Sequence, residues 1–148
     1  MIMDITNIDS FRLLVNAWIS AFNAHDVAAI VSLYTDDAGL FDSGMKRPRQ
    51  GRNEIEQWFS KRFEDMPSIK YIPTAQFFTE DHATVQWTTS GRPRILGQSW
   101  LARPFRVDGV SIFAFRDDRI HNQRGYYDHA SAVEQALPPI KWLLPSRL

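Results

Sequence analysis

Periodicity and residue usage predict an α+β fold, one domain spanning residues 1–148 with helices laid over a single curved sheet. Apolar residues recur at helical spacing through the first part of the chain. From Ile69 onward, β-branched and aromatic residues take over. No repeat, linker or low-complexity segment interrupts the 148 residues, a length that suits one domain with a sizeable core.

Asp9 or Ser10 is placed to cap a first helix from Phe11, and Phe11, Leu14, Val15, Trp18, Ala21 and Phe22 make its apolar face. "NAHD" breaks it, with His25 and Asp26 reading as a helix end and the next cap. Val27, Ile30, Val31 and Tyr34 describe a shorter second helix, ended by "TDDAG", in which Asp36 and Asp37 read as a surface turn. "GLFD" reads as a short strand. Asn53 is placed to cap a third helix with Ile55, Trp58, Phe59 and Phe63 on its buried face, stopped by Met66-Pro67. "IKYIPTAQFFTED" and "HATVQWTTSG" read as strands joined by an acidic turn. "RILGQSWLA", "VDGVSIFAF" and "RIHNQRGYY" follow as strands, the last two separated by "RDD". "HASAVEQAL" closes the fold as a helix capped by Asp128. The tail beyond Pro138-Pro139, around Trp142, is expected to dock on its own domain or to cross to a partner.

Composition narrows the function. Hydrophobic residues make up 44% and aromatics 13%, a globular content. Seventeen basic residues balance seventeen acidic ones, so no nucleic acid or anionic membrane is favoured overall. The absence of cysteine removes disulfides, thiolate metal sites and a cysteine nucleophile. "MIMDITNIDS" lacks the basic n-region and apolar core of a secretory signal, and no apolar run approaches a membrane span, so a cytoplasmic location is expected. The histidines at 25, 82, 121 and 129 lack metal-ligand spacing, so neither metal nor cofactor is expected.

"WISAFNAHDVAAIVSLYTDDAGLFDSGMKRPRQGRNEI" resembles the opening of the ketosteroid isomerase, SnoaL-like and nuclear-transport-factor-2-like (NTF2-like) superfamily. "DGVSIFAFRDDRIHNQRGYYDHASAVEQ" is similar to the last two strands and terminal helix of its SnoaL-like branch. The resemblance implies a cone-shaped barrel, with three N-terminal helices packed on a curved mixed or antiparallel sheet around a deep apolar pocket. It also implies a homodimer through the outer sheet face, where Val110, Ile112 and Ala114 alternate outward. Matched residue by residue, the isomerase's general base falls on Asp42, its tyrosine donor on Trp18 and its protonated aspartate donor near Ser111. The isomerase sets a carboxylate base against an oxyanion hole made of a tyrosine and a neutral acid. Both donor positions are changed here, which argues against a steroid isomerase proper. The epoxide hydrolases of the superfamily are argued against more strongly, because their polar positions fall on Phe41, Ser43, Gly125 and the stretch from Gln86 to Thr88. The polyketide cyclases pair an acid with a histidine, for which Asp42 and His121 are the candidates here, while Gly125 stands where the cyclase acid is expected.

Taken on its own chemistry, an aspartate before Ser-Gly is a turn former that accepts backbone N–H bonds. Alternation nevertheless puts Asp42 on one face with Ala38 and Leu40. If that face lines the pocket, burial would raise its pKa towards a base's working range. Trp18 is equally good core, and Ser111 equally a small spacer beside Gly109. His121, Gln123 and Tyr127 share a face of the last strand, with His121 the candidate second titrating group. Phe22, Phe59, Trp87 and Phe113 join Gln123 and Tyr127 as expected pocket lining. Lys46, Arg47, Arg49, Arg52, Arg92, Arg94, Arg103 and Arg106 form a locally basic set, either a solvated face or an attraction for an anionic substrate. Together these point to a cofactor-independent enzyme acting on a small apolar carbonyl compound by proton transfer: isomerisation, cyclisation or dehydration. The alternative is a non-catalytic ligand-binding or interaction domain of the same fold.

Overall fold

In the computed structural model, residues 5–137 are described. The chain runs α1 (Ile5–Asn23), α2 (Val27–Ser32), β1 (Tyr34–Asp42), β2 (Arg49–Gln50), α3 (Gly51–Asp65), β3 (Lys70–Phe78), β4 (His82–Gly91), a 3-10 turn (Ser99–Leu101), β5 (Phe105–Arg116), β6 (Arg119–Tyr127) and α4 (His129–Ala136). These strands form one mixed sheet in the order β2-β1-β6-β5-β4-β3. The β1–β6 pair is parallel and the other pairs are antiparallel. The sheet stays open and curves around a core of Val15, Trp18, Ile30, Tyr34, Ile55, Val85, Phe113 and Ile120, all nearly or fully buried. The predicted fold class holds, as do the positions of α3, β3, β4, β5, β6 and α4.

Several boundaries differ from the sequence reading. α1 starts at Ile5, a turn and a half before the expected start. α2 ends at Ser32, and Tyr34 opens β1 instead of closing the helix. "TDDAG" is therefore strand, not turn. Two consecutive acidic residues are tolerated there because Arg52 pairs with Asp36 at 3.0 Å and Arg116 pairs with Asp37. Arg52 also donates to the Tyr34 carbonyl at 2.6 and 3.0 Å, fixing α3 against the start of the strand. α3 is capped at Gln50 rather than Asn53; Glu54 turns back to accept the Gln50 N–H at 2.9 Å. "RILGQSWLA" is not a strand. Proline flanks it at 93 and 104, and Leu96 and Gly97 both take positive φ, so it folds into a tight loop closed by Arg94 donating to the Gly97 carbonyl.

The expected outer face of β5 is present. Val110 and Ala114 are half-buried and Ile112 is exposed, with Phe77 and Tyr126 exposed on other strands of the sheet. The tail around Trp142 lies outside the described residues. Among those residues no helix is long and apolar enough to cross a membrane.

Candidate active site

A cavity of about 280 Å³ opens between the concave sheet face, α1, α3 and α4. Its walls are mostly aromatic and aliphatic, among them Trp18, Phe22, Phe59, Trp87 and Phe105. The polar groups are few and come from adjoining elements. Asp42 ends β1, Gln123 and Tyr127 lie on β6, Ser111 on β5, Tyr71 on β3, Arg62 on α3 and His129 at the start of α4. A mostly apolar pocket with a handful of convergent polar groups is the ordinary form of a small-molecule site.

The sheet register explains the convergence. Asp42 on β1 is opposite Gly125 on β6, and Gly125 is opposite Ser111 on β5. These three form one row across the floor, with the glycine in the middle. A side-chain carbon built on Gly125 would lie 3.9 Å from Asp42 Oδ2 and 4.0 Å from Ser111 Oγ. The missing side chain leaves a space with a carboxylate on one flank and a hydroxyl on the other.

Asp42 divides its two oxygens. Oδ1 accepts the Gly44 backbone N–H at 2.7 Å, closing the Ser43–Gly44 turn. Oδ2 lies 3.7 Å from an Arg62 guanidinium nitrogen, with both side chains largely buried. Ser43 secures the arrangement: its hydroxyl exchanges bonds of 3.0 Å with the Tyr127 carbonyl and N–H, and its own N–H donates to the Gly125 carbonyl at 3.0 Å. Asp42 thus shares its end of the cavity with a cation, not with apolar groups alone as alternation suggested. Arg62 is itself steadied over the Trp58 ring, 4.6 Å from its centroid. Tyr127 stands beside the pair, and burial followed by the Asp42 charge pushes its phenol up to about 12. The phenol therefore enters the pocket as a neutral hydrogen-bonding group.

Ser111 is nearly fully buried and receives two bonds, from Trp87 Nε1 at 2.9 Å and from Tyr71 Oη at 3.3 Å. Gly109 makes the first possible, since a side-chain carbon there would come within 2.5 Å of the Trp87 ring. With two donors at its oxygen, the hydroxyl is able to turn its own proton to an acceptor in the cavity. Burial raises the Tyr71 phenol above its ordinary range, so it too stays protonated.

Trp18 does line the cavity, but its indole N–H is committed elsewhere. It donates to Tyr34 Oη at 2.9 Å, and Tyr34 in turn donates to Gln123 Oε1. The donor role that the resemblance gave Trp18 is corrected on this ground: an indole has one N–H, and it is already engaged.

His121 is not in the cavity. The pairing of β6 with β5 shifts between Ala114 and Phe115, so that Ile120 and Asn122 pair in register and His121 is the extra residue. A bulge reverses the side-chain alternation. Ile120 is fully buried, and His121 turns outward to within 3.4 Å of Thr35 Oγ1 and 3.8 Å of Asp37. Phe113 is also absent from the lining; it packs beneath Trp18, with ring centroids 5.5 Å apart. Phe22, Phe59, Trp87, Gln123 and Tyr127 do line it.

Arg62, Tyr71 and His129 escaped the sequence reading. Arg62 follows Phe59 by three residues on α3 and so shares its face, a signal available from helical spacing. His129 stands two residues after Tyr127, where β6 gives way to α4. Of the basic residues between β1 and the first turn of α3, Arg47 pairs with Glu54, Arg52 with Asp36, and Arg49 lies over Trp58. Among the described residues, no three His, Cys, Asp or Glu side chains gather in a way that could hold a metal ion.

Comparison with known proteins agrees with the fold. The SnoaL-like domain model matches residues 15–123. A protein of ketosteroid isomerase-like fold from Catenulispora acidiphila, solved in complex with trimethylamine, superposes with a TM-score of 0.76 at 23% identity, covering 84% of this chain and 93% of its own. A candidate SnoaL-like polyketide cyclase from Jannaschia sp. CCS1 gives 0.76 at 14% identity, covering 88% and 93%. TsrD from Streptomyces laurentii gives 0.72 at 18%, covering 86% and 94%. No curated protein matches the sequence.

Proposed function

This chain belongs to the SnoaL-like domain family, and we propose that it is a small-molecule enzyme moving a proton on an apolar carbonyl compound. The observation that carries the reading is the Asp42–Gly125–Ser111 row at the floor of an apolar cavity. A carbon acid seated over Gly125 has a carboxylate oxygen on one side and a hydroxyl donor on the other. Asp42 Oδ2 takes the proton from the carbon next to the carbonyl. The C–H electron pair moves into the enolate, and Ser111 donates to the oxygen as charge develops there. The same carboxylic acid then returns the proton at another carbon (isomerisation), or the enolate carbon attacks a second carbonyl whose oxygen takes that proton as its π bond breaks (cyclisation), or the β C–O bond breaks and the hydroxyl leaves as water with that proton (dehydration). The Gly44 N–H and Arg62 keep the carboxylate oriented, and the aromatic walls exclude water.

The expected result is that Asp42→Asn abolishes turnover of any carbonyl substrate found by screening, while its dissociation constant changes less than about threefold. Turnover at the wild-type rate in that variant would end the proposal. One observation favours the rival reading of a non-catalytic binding domain: Asp42 already serves as a turn cap and an ion-pair partner. Under that reading Asp42→Asn loses stability rather than chemistry. We also propose that two copies pair through the exposed outer face around Ile112, Phe77 and Tyr126. Light scattering should then give twice the mass of a single chain, and a monomer at micromolar concentration would refute the pairing.

A further inference from the structure

We infer that Gln123 is a fixed hydrogen-bond donor for a substrate oxygen, locked in one orientation by a buried relay that begins at Trp18 and passes through Tyr34. The inference rests on reading the cavity as a carbonyl site, and it adds a residue that sets specificity there.

The relay begins with an N–H that can only donate. The Trp18 indole gives its proton to Tyr34 Oη at 2.9 Å, so the phenol oxygen is an acceptor on that side. Tyr34 is fully buried, and its own proton must find an acceptor in an apolar interior. The Gln123 amide is its partner, and only Oε1 can receive that proton. Reversing the amide would bring Nε2 against Oη and leave the phenol proton with nothing to bond. Burial also raises the Tyr34 phenol far above its ordinary range, which keeps the relay protonated in ordinary buffers.

With Oε1 turned to Tyr34, Nε2 points the other way. Gln123 lines the cavity, and its amide nitrogen has no hydrogen-bond partner among the described residues. The residue is only 5% exposed. No fully buried side-chain nitrogen or oxygen among the described residues lacks a bond, so the accessible part of this amide is what faces the cavity. Gln123 sits opposite Leu40 and Phe113, two residues along β6 from Gly125 and on the same face. That places it about 7 Å along the strand from the reaction row, within reach of a ligand seated over the glycine. Gln123 presents two protons and Ser111 one, so the floor is rich in donors. It selects a ligand with an acceptor oxygen, such as a ketone, enolate or phenolate, over a hydrocarbon of the same shape. Gln123 touches the ligand; Tyr34 and Trp18 are positioning residues.

The test compares binding of 2-tetralone with binding of tetralin, together with the infrared carbonyl stretch of the bound ketone. Wild type should prefer the ketone and shift its stretch to lower frequency. Gln123→Leu should cut the preference by about 3- to 10-fold and move the stretch back towards its value in hydrocarbon. Tyr34→Phe should do the same in part, because the amide loses its anchor while Nε2 remains. Should Tyr34→Phe fail to fold, Gln123→Leu decides alone, with Gln123→Met as the apolar replacement of closer length. An unchanged preference and stretch in Gln123→Leu would overturn the inference and leave Ser111 as the donor. If wild type showed no preference for the ketone, both this inference and the carbonyl reading of the site would fall.

Discussion

Asp42 answers a question its own sequence context poses. A short carboxylate before Ser-Gly has a turn to close, and Oδ1 closes it. The other oxygen faces the cavity across a space that exists because residue 125 has no side chain. The glycine that counts against a cyclase-like acid in the sequence is, on this geometry, what leaves the space between Asp42 and Ser111 open, where the proposed substrate would sit. A methyl group at Gly125 would meet its nearest neighbours at ordinary van der Waals distance, so Gly125→Ala should fold with wild-type stability within about 1 kcal/mol. It should nevertheless lower kcat/KM by about 100-fold, because a substrate displaced by an ångström loses its alignment with Asp42. Measuring turnover and thermal unfolding side by side separates the two effects. Equal turnover would mean that the substrate does not sit over this row.

Among the elements, β6 decides most of the site. Its parallel pairing with β1 brings Asp42 opposite Gly125, and its antiparallel pairing with β5 brings Ser111 to the other flank. Ser43 rivets the ends of β1 and β6 together through the Tyr127 backbone, so the carboxylate is held by a seam and not by a free loop. The bulge at His121 is the second consequential feature. Strict alternation would put His121 inward with Gln123, Gly125 and Tyr127; one extra residue sends it out to Asp37 and puts Ile120 into the core. The histidine that reaches the cavity is His129, beyond the end of the strand. A bulge leaves no clear mark in composition, which is why periodicity misassigned His121.

For the molecule as a whole, three tyrosines couple stability to alkaline pH: Tyr71 and Tyr127 on the cavity wall, and Tyr34 behind it, bonded to Gln123. Burial is the first cause of the raised pKa at Tyr34, Tyr71 and Tyr127, and each titrates at about 10 in the unfolded chain. A group whose folded pKa is raised contributes stability that is complete below its unfolded pKa and is lost as pH rises through the folded one. Stability should therefore fall from about pH 10 upward, with Tyr127 releasing its proton near 12 and the other two beyond it. Each tyrosine adds a slope of about 1.4 kcal/mol per pH unit in that window. Tyr34→Phe should remove one such increment, so the wild-type and variant curves converge as pH rises. Denaturant unfolding from pH 9 to 12 checks this, and parallel curves would contradict it.

Fold class, the order of most elements and the apolar character of the cavity were all legible in the chain before any contact was known. Helical and strand periodicities are local properties, and the apolar stripes of α1 and α3 imply a partner surface wherever they land. Residue matching to a known family also brought Asp42 and Ser111 forward, and both face the cavity. How each polar group is used emerged only from the folded arrangement. Trp18 reads as a donor until Tyr34 is seen to take its proton, and Tyr34 reads as a helix residue until Arg52 fixes its carbonyl at the start of a strand. Gln123 acquires a fixed direction from the same relay, and Gly125 acquires meaning from neighbours far from it in sequence. A hydrogen bond assigns a donor to one acceptor among residues that folding brings together, and that assignment depends on register across strands, not on spacing along one.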